Sequence, residues 1–144
     1  MTSINDIQDE IIEEFSLFDN PQDKYTYLID LGKKVEALEA EDKTEDNIVK
    51  GCQSQVWLTA DFQEELLHYH ADSDAMIVRG LVSLLLRVLS GHSPKEIVEA
   101  DLYFVDKIGL KQMLSMTRSN GLAAMMKKMK MYALAYQTKL QAAE

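Results

Sequence analysis

Cysteine is nearly missing from this 144-residue chain: it occurs once, as Cys52. A single thiol excludes an intramolecular disulfide and any zinc or iron–sulfur site built from several cysteines of this chain alone. Proline (two) and glycine (six) are also scarce. What remains is an ordinary globular mixture, 47% hydrophobic and 27% charged, rather than a disordered or fibrous composition. Cations are outnumbered, with 15 Lys and Arg against 24 Asp and Glu and a net charge of -9. Nucleic acid repels such a chain, and its most basic run, Lys127, Lys128 and Lys130, is too short to reverse that. Long apolar runs are missing too. The most apolar stretch, Ala75 to Leu89, is broken by Arg79 and Arg87, so no membrane-spanning helix is expected. The first residues, Met1-Thr2-Ser3-Ile4-Asn5-Asp6, have neither the basic start of a signal peptide nor the Arg-rich look of a transit peptide. The cytoplasm is the expected compartment, and the length suits one domain over residues 1–144.

What is present is periodic. Ile4, Ile7, Ile11, Phe15 and Phe18 fall on one helical face. Asn20-Pro21 restarts the chain as N-cap and first helical residue, and the second helix is expected to end near Gly32. Residues 39–47 carry almost no apolar side chain and read as an exposed acidic loop. Then the period changes: Val56, Leu58 and Ala60 alternate with polar or large residues, and Leu66 to Ala71 also reads as extended. Two antiparallel strands joined by a short turn result, with Ile48-Val49 as a possible third. Ser73 is the expected cap of the strongest helix, which turns Met76, Ile77, Leu81, Leu84, Leu85 and Val88 inward and has Gly91 past its end. Ser93-Pro94-Lys95-Glu96 is a capping box. Short helical pieces follow over 101–116, and Ser119 or Asn120 is the expected cap of a long last helix carrying Leu122, Met125, Met126, Met129 and Tyr136 on its buried side. Helices flank a small sheet without βαβ alternation. The fold class is therefore α+β, with about three antiparallel strands packed against several helices.

The chemistry-bearing segment is Asn47-Ile48-Val49-Lys50-Gly51-Cys52-Gln53-Ser54-Gln55-Val56-Trp57-Leu58. Gly51 lets the backbone turn where a side chain would clash, so Cys52 can stand at a loop tip between an extended piece and a strand. Thiol chemistry needs the thiolate, and Lys50 or loop amides pointing at the sulfur would favour it. The alternative is an inert, buried cysteine acting as a small hydrophobe. His68 and His70 share a strand face and read as solvent-facing; a zinc site would need a third ligand that is not evident. His92 reads as a loop residue. The methionines at 125, 126, 129 and 131 read mostly as core filler.

Gly51-Cys52-Gln53-Ser54-Gln55-Val56-Trp57-Leu58 resembles the signature of the SufE family of cysteine desulfuration proteins, including its CsdE branch. Ser73-Asp74-Ala75-Met76-Ile77-Val78-Arg79-Gly80-Leu81 resembles the family's stretch at the start of its central helix. Thr117-Arg118-Ser119-Asn120-Gly121-Leu122-Ala123-Ala124-Met125 resembles its Arg-Ser-Asn-Gly-Leu motif. The likeness runs from about Ile11 to Leu140, in the family's order. Two positions depart: Met116 stands where the family often has Pro, and Met113 where it has His, so the turn before Arg118 is less constrained here.

The resemblance implies a SufE/IscU-like α+β fold and a sulfur acceptor. A pyridoxal-phosphate cysteine desulfurase (SufS- or CsdA-like) would hold sulfur as a persulfide and pass it to Cys52, which would hand it on towards iron–sulfur cluster assembly. Gly51, Gln53 and Ser54 would support the loop, while Lys50, Asp74 and Arg118 would contact the partner or hold the loop. The chain itself would carry no cofactor and no metal. It would act as a transfer partner that stimulates the desulfurase rather than as a free-standing enzyme. A carrier gains by shielding its persulfide, so Cys52 is expected in an apolar hollow, swinging out on docking. The rivals are a stand-alone thiol enzyme using a histidine as base and a structural adaptor of a sulfur-mobilising complex.

Overall fold

The structure, a computed structural model, describes residues 2–143. Two helices come first, α1 (Ile4–Phe15) and α2 (Pro21–Lys33). Ser3 caps α1 by accepting the Asp6 amide (3.0 Å) and Asn20 caps α2 by accepting that of Asp23 (2.9 Å), the expected use of short polar side chains at helix starts. A hairpin follows, β1 (Val56–Gln63) and β2 (Leu66–Ser73), paired from Val56↔Ser73 to Gln63↔Leu66. Then come α3 (Met76–Leu89), α4 (Pro94–Glu99), α5 (Phe104–Lys107), α6 (Leu110–Met113) and the long α7 (Met116–Ala143). The capping box at Ser93 and Glu96 forms as the sequence indicates.

The sheet has two strands. Ile48 forms one isolated bridge to Trp57, and the Val49 N–H donates to the Val56 carbonyl (2.8 Å). A 3-10 turn at Glu45–Asn47 ends just before this pair, and Gly51, at φ +95°, turns the chain away just after it. Between them only Ile48 and Val49 are extended, Lys50 being part of the turn, so the third strand shrinks to a bridge. The hairpin turn Glu64-Glu65 has both residues at positive φ (53° and 66°). A two-residue loop needs that geometry to match the strand twist, although glycine or asparagine supplies it at less cost.

Val56, Leu58, Leu67, Tyr69 and Ala71 are buried on the inner face of the hairpin. They pack into one core with Leu81, Leu84, Leu85, Val88 and Leu89 of α3 and Leu122, Met125 and Met129 of α7. Helices α2 and α3 cross backbone to backbone: a Cβ on Gly80 would overlap the Leu28 carbonyl oxygen, and one on Gly32 would lie 2.6 Å from that of Met76. Gln8 is buried and stitches α1 to the α5 region. Its amide donates to Asp101 O (2.9 Å) and its oxygen accepts from Phe104 N (3.1 Å).

Two helix boundaries differ from the sequence reading. Ser73 closes β2, and Ala75 is the cap residue of α3; the Ser73 hydroxyl reaches forward to accept the Ala75 amide (3.2 Å). Helix α2 ends at Lys33, next to Gly32 as expected, and the Gly80 crossing needs a bare backbone at Gly32. Helix α7 starts at Met116, since the Ser115 hydroxyl accepts the Arg118 amide (3.2 Å) and the Ser115 carbonyl the Ser119 amide (2.9 Å). Position 116 is thus the first helical residue, where a proline would fit as well as methionine. Met76, read as inward, is 38% exposed.

Candidate functional site

Cys52 sits at the tip of the segment between the Val49 bridge and β1. Both ends of this loop are held. At its start, Lys128 of α7 donates to Ile48 O (2.9 Å). At its end, Gln55 is clamped by the start of α3. The Asp74 carboxylate accepts the Gln55 amide (3.1 Å), the Asp74 amide donates to Gln55 O (3.3 Å), and the Ser73 hydroxyl donates to the same oxygen (2.8 Å). At Gly51 the positive φ demands glycine, and a Cβ there would also crowd Ala124 of α7 at 3.3 Å.

Between these anchors the Cys52 side chain is half-buried and leans on α7. Its thiol donates to the Gly121 carbonyl (3.4 Å), and a Cβ at Gly121 would sit in van der Waals contact with Sγ, 3.4 Å away. The sulfur faces a hollow of about 270 Å³. One water-sized probe needs about 10–15 Å³ on that scale, so an added sulfur atom fits with room to spare. Val78, Leu81, Leu122 and Met125 form its apolar side, and Gln53, Ser54, Ser115, Thr117 and Arg118 its polar side. The hollow is thus half apolar and half polar, more mixed than the sequence suggested.

Electrostatically the resting sulfur is a thiol. Burial pushes the Cys52 pKa up from its ordinary value, because the anion loses water that the apolar wall does not replace. The bond to Gly121 acts in the same sense, since a carbonyl oxygen accepts from S–H and repels S⁻. Lys50, expected to favour the anion, points elsewhere: it lines a second depression on α7 with Lys127 and Lys128. Arg118 borders the hollow and donates to the Tyr25 hydroxyl (3.3 Å), tying the start of α7 to α2.

The structure therefore brings together Gly51, Cys52, Gln53, Ser54 and Arg118, with Asp74 one step behind as a clamp on Gln55. Sequence reasoning missed the Gly121 carbonyl, Ser73 as a second clamp on Gln55, and Ser115 and Thr117 at the rim. A backbone carbonyl has no residue signature; Ser73 and Thr117 lay within quoted motifs and were the available signal. No histidine lines the hollow among the described residues. His70 pairs with Asp61 (3.4 Å), and His92, read as a loop residue, is 3% exposed, with Nε2 3.1 Å from the Thr2 carbonyl oxygen. No group of three His, Cys, Asp or Glu close enough to hold a metal ion occurs among the described residues. No helix there is long and apolar enough to cross a membrane.

Fold and site define a small α+β protein built around one half-buried thiol at the tip of an anchored loop. The chain belongs to the SufE family: the pattern described as "SufE: Fe-S metabolism associated domain" matches residues 9–133. It is 42% identical over 135 residues to an uncharacterised SufE-like protein of Rhizobium meliloti, covering 90% of this chain and 94% of that one. It is 41% identical over 128 residues to another from Synechocystis, covering 89% and 80%. A longer relative, the Arabidopsis thaliana SufE-like protein 1, chloroplastic/mitochondrial, is 41% identical over 131 residues, which are 90% of this chain and 35% of that protein. Among solved structures, a hypothetical protein from Thermus thermophilus shares the fold, with a TM-score of 0.75 at 21% identity over 92% of this chain and 96% of that one.

Proposed function

We propose that Cys52 accepts sulfur from a pyridoxal-phosphate cysteine desulfurase as a persulfide, stimulates that enzyme by emptying it, and passes the sulfur towards iron–sulfur cluster assembly. The Cys52 thiolate attacks the terminal sulfur of the donor persulfide. A new S–S bond forms at Cys52, the donor S–S bond breaks, and the donor cysteine leaves as a thiolate that takes up a proton. Sulfur moves without net oxidation, so the chain needs no cofactor of its own and acts as a transfer partner.

The observation that carries this reading is the thiol held on Gly121 at the mouth of the hollow, at the tip of a loop anchored only at its two ends. Releasing Cys52 breaks the thiol's bond and some of those at Gln55, each worth about 1 kcal/mol net. A micromolar protein complex supplies about 8 kcal/mol, so docking can swing the loop out. At rest the thiol stays protonated and shielded, which protects a later persulfide from stray oxidants. On docking, the sulfur leaves the wall that raises its pKa, and Arg118, which lines the hollow, is the cation placed there to meet the anion. Asp74 holds the loop closed, Gln53 and Ser54 line the hollow, and Lys50 faces the partner. A cytoplasmic setting suits a lone cysteine that must stay reduced between transfers.

Desulfurase turnover tests the reading. Alanine release by the enzyme is expected to rise when this protein is added and to stay at the basal rate with Cys52→Ser. Equal stimulation by Cys52→Ser would favour the adaptor. Turnover of a thiol substrate by this protein alone would favour the stand-alone enzyme.

A further inference from the structure

A second depression, an open groove of about 530 Å³, adjoins the Cys52 loop and shares no lining residue with the sulfur hollow. Val49, Ala124, Met131 and Tyr132 give it an apolar floor, and Lys50 and Lys127 stand at its rim. Lys128 also lines it, but its ammonium is engaged with Ile48 O and lies 5.9 Å from the Tyr132 ring centre. Lys50 and Lys127 are exposed and pair with no carboxylate among the described residues. Met131 is 58% exposed, unlike the core methionines around it.

These features do not follow from the chain's average. With 24 acidic against 15 basic residues, a neighbourhood of three lysines without an acid is a local reversal of sign. Unpaired cations around an exposed large apolar side chain mark a partner surface rather than a solvated face. The location points to the same use. Lys50 is two residues before Cys52, Ala124 backs Gly51, and one turn of α7 separates Ala124 from Gly121, whose carbonyl holds the thiol. A segment seated here bears on the root of the loop that must move.

We propose that this groove docks an acidic segment of the desulfurase, one that carries carboxylates for Lys50 and Lys127 and a large apolar side chain for the floor beside Met131. It rests on the transfer reading above and adds the surface and the chemistry of the contact. Because the chain as a whole is acidic, an acidic segment is favoured at this groove over the average of the surface, which helps fix the register of the complex as well as its strength.

The test measures the Kd of wild type and variants for a pyridoxal-phosphate cysteine desulfurase at low and high salt, with intact-mass detection of sulfur on the wild type. Lys50→Glu/Lys127→Glu is expected to weaken binding about tenfold, roughly half a decade for each rim charge reversed. Met131→Ser is expected to weaken it at both salts, and the wild-type affinity to fall as salt screens the lysines. Lys50→Gln/Lys127→Gln guards against misfolding, and Lys128 is left alone because it holds Ile48. Variants that bind as tightly as a sulfur-accepting wild type would overturn the groove and leave the carrier reading standing. A salt-sensitive affinity lost in the variants, with no sulfur taken up by the wild type, would leave the groove standing and sink the carrier.

Discussion

Replacing Asp74 with alanine removes the carboxylate that accepts the Gln55 amide at 3.1 Å. Asp74 is exposed, so the bond competes with water and is worth about 1 kcal/mol rather than the 1.5–3 kcal/mol of a buried charged acceptor. If Cys52 reacts only when its loop opens, a loss of about 1 kcal/mol raises the open population about fivefold. Alkylation of Cys52 by iodoacetamide at fixed pH should therefore speed up about fivefold, while Tm falls by about 4 °C. Losing a nearby negative charge would also lower the thiol pKa and speed the reaction. Asp74→Asn separates the two effects, because it removes the charge and keeps an acceptor oxygen. On the clamp account it stays within about twofold of wild type, judged by the strength of the bond it retains. Rates in urea, where no loop exists, should be equal for all three proteins. An Asp74→Ala rate equal to wild type in buffer would refute the reasoning, as would an Asn variant as fast as the alanine one.

Three further outcomes follow from the same geometry. Because burial raises the Cys52 pKa, the pH midpoint of its alkylation should lie above that of a free cysteine, and above that of Cys52 in the desulfurase complex; equal midpoints would remove the shielding argument. For Asp72, burial works to raise the pKa but is outweighed by the Ser73 and Leu38 amides, Lys43 and Arg79, and the net shift is downward from 3.8. A carboxyl depressed in the folded state contributes stability above its unfolded pKa and loses it as pH falls through the folded one. Acid unfolding below about pH 4 should thus be shallower in Asp72→Asn, and an unchanged acid limb would contradict this role. At the hairpin, Glu64→Asn/Glu65→Gly replaces two strained residues with the pair that favours positive φ, and should stabilise by about 1 kcal/mol in denaturant unfolding; a loss of stability would argue against the turn geometry.

The parts of the fold readable in the sequence are those set by local chemistry. Asn20-Pro21 and Ser93-Pro94-Lys95-Glu96 cap helices because short polar side chains satisfy the first amides wherever the rest of the chain goes. The hairpin was legible from alternation, although Glu64-Glu65 is a poor turn signal and only the spacing gave it away. Gly51-Cys52 was legible as a loop tip because Gly51 carries a positive φ. Competition between equals hid the start of α7, where Ser115, Ser119 and Asn120 are all good caps and Ser115 accepts the Arg118 amide. Long-range contact hid the rest. Asp72 falls on the outer, polar face by alternation, yet it is 2% exposed because the Leu38 amide and Lys43 fold over it. The bond that holds the thiol ends on the backbone of Gly121, 69 residues away, and no side-chain pattern announces it.

The most direct test of the account is the intact mass of wild type and Cys52→Ser after anaerobic incubation with a pyridoxal-phosphate cysteine desulfurase and free cysteine, without reductant. A gain of about 32 Da, one sulfur, is expected on the wild type alone, and reductant should remove it. A wild type that binds the desulfurase and gains no sulfur, or a Cys52→Ser protein that gains as much, would contradict the account.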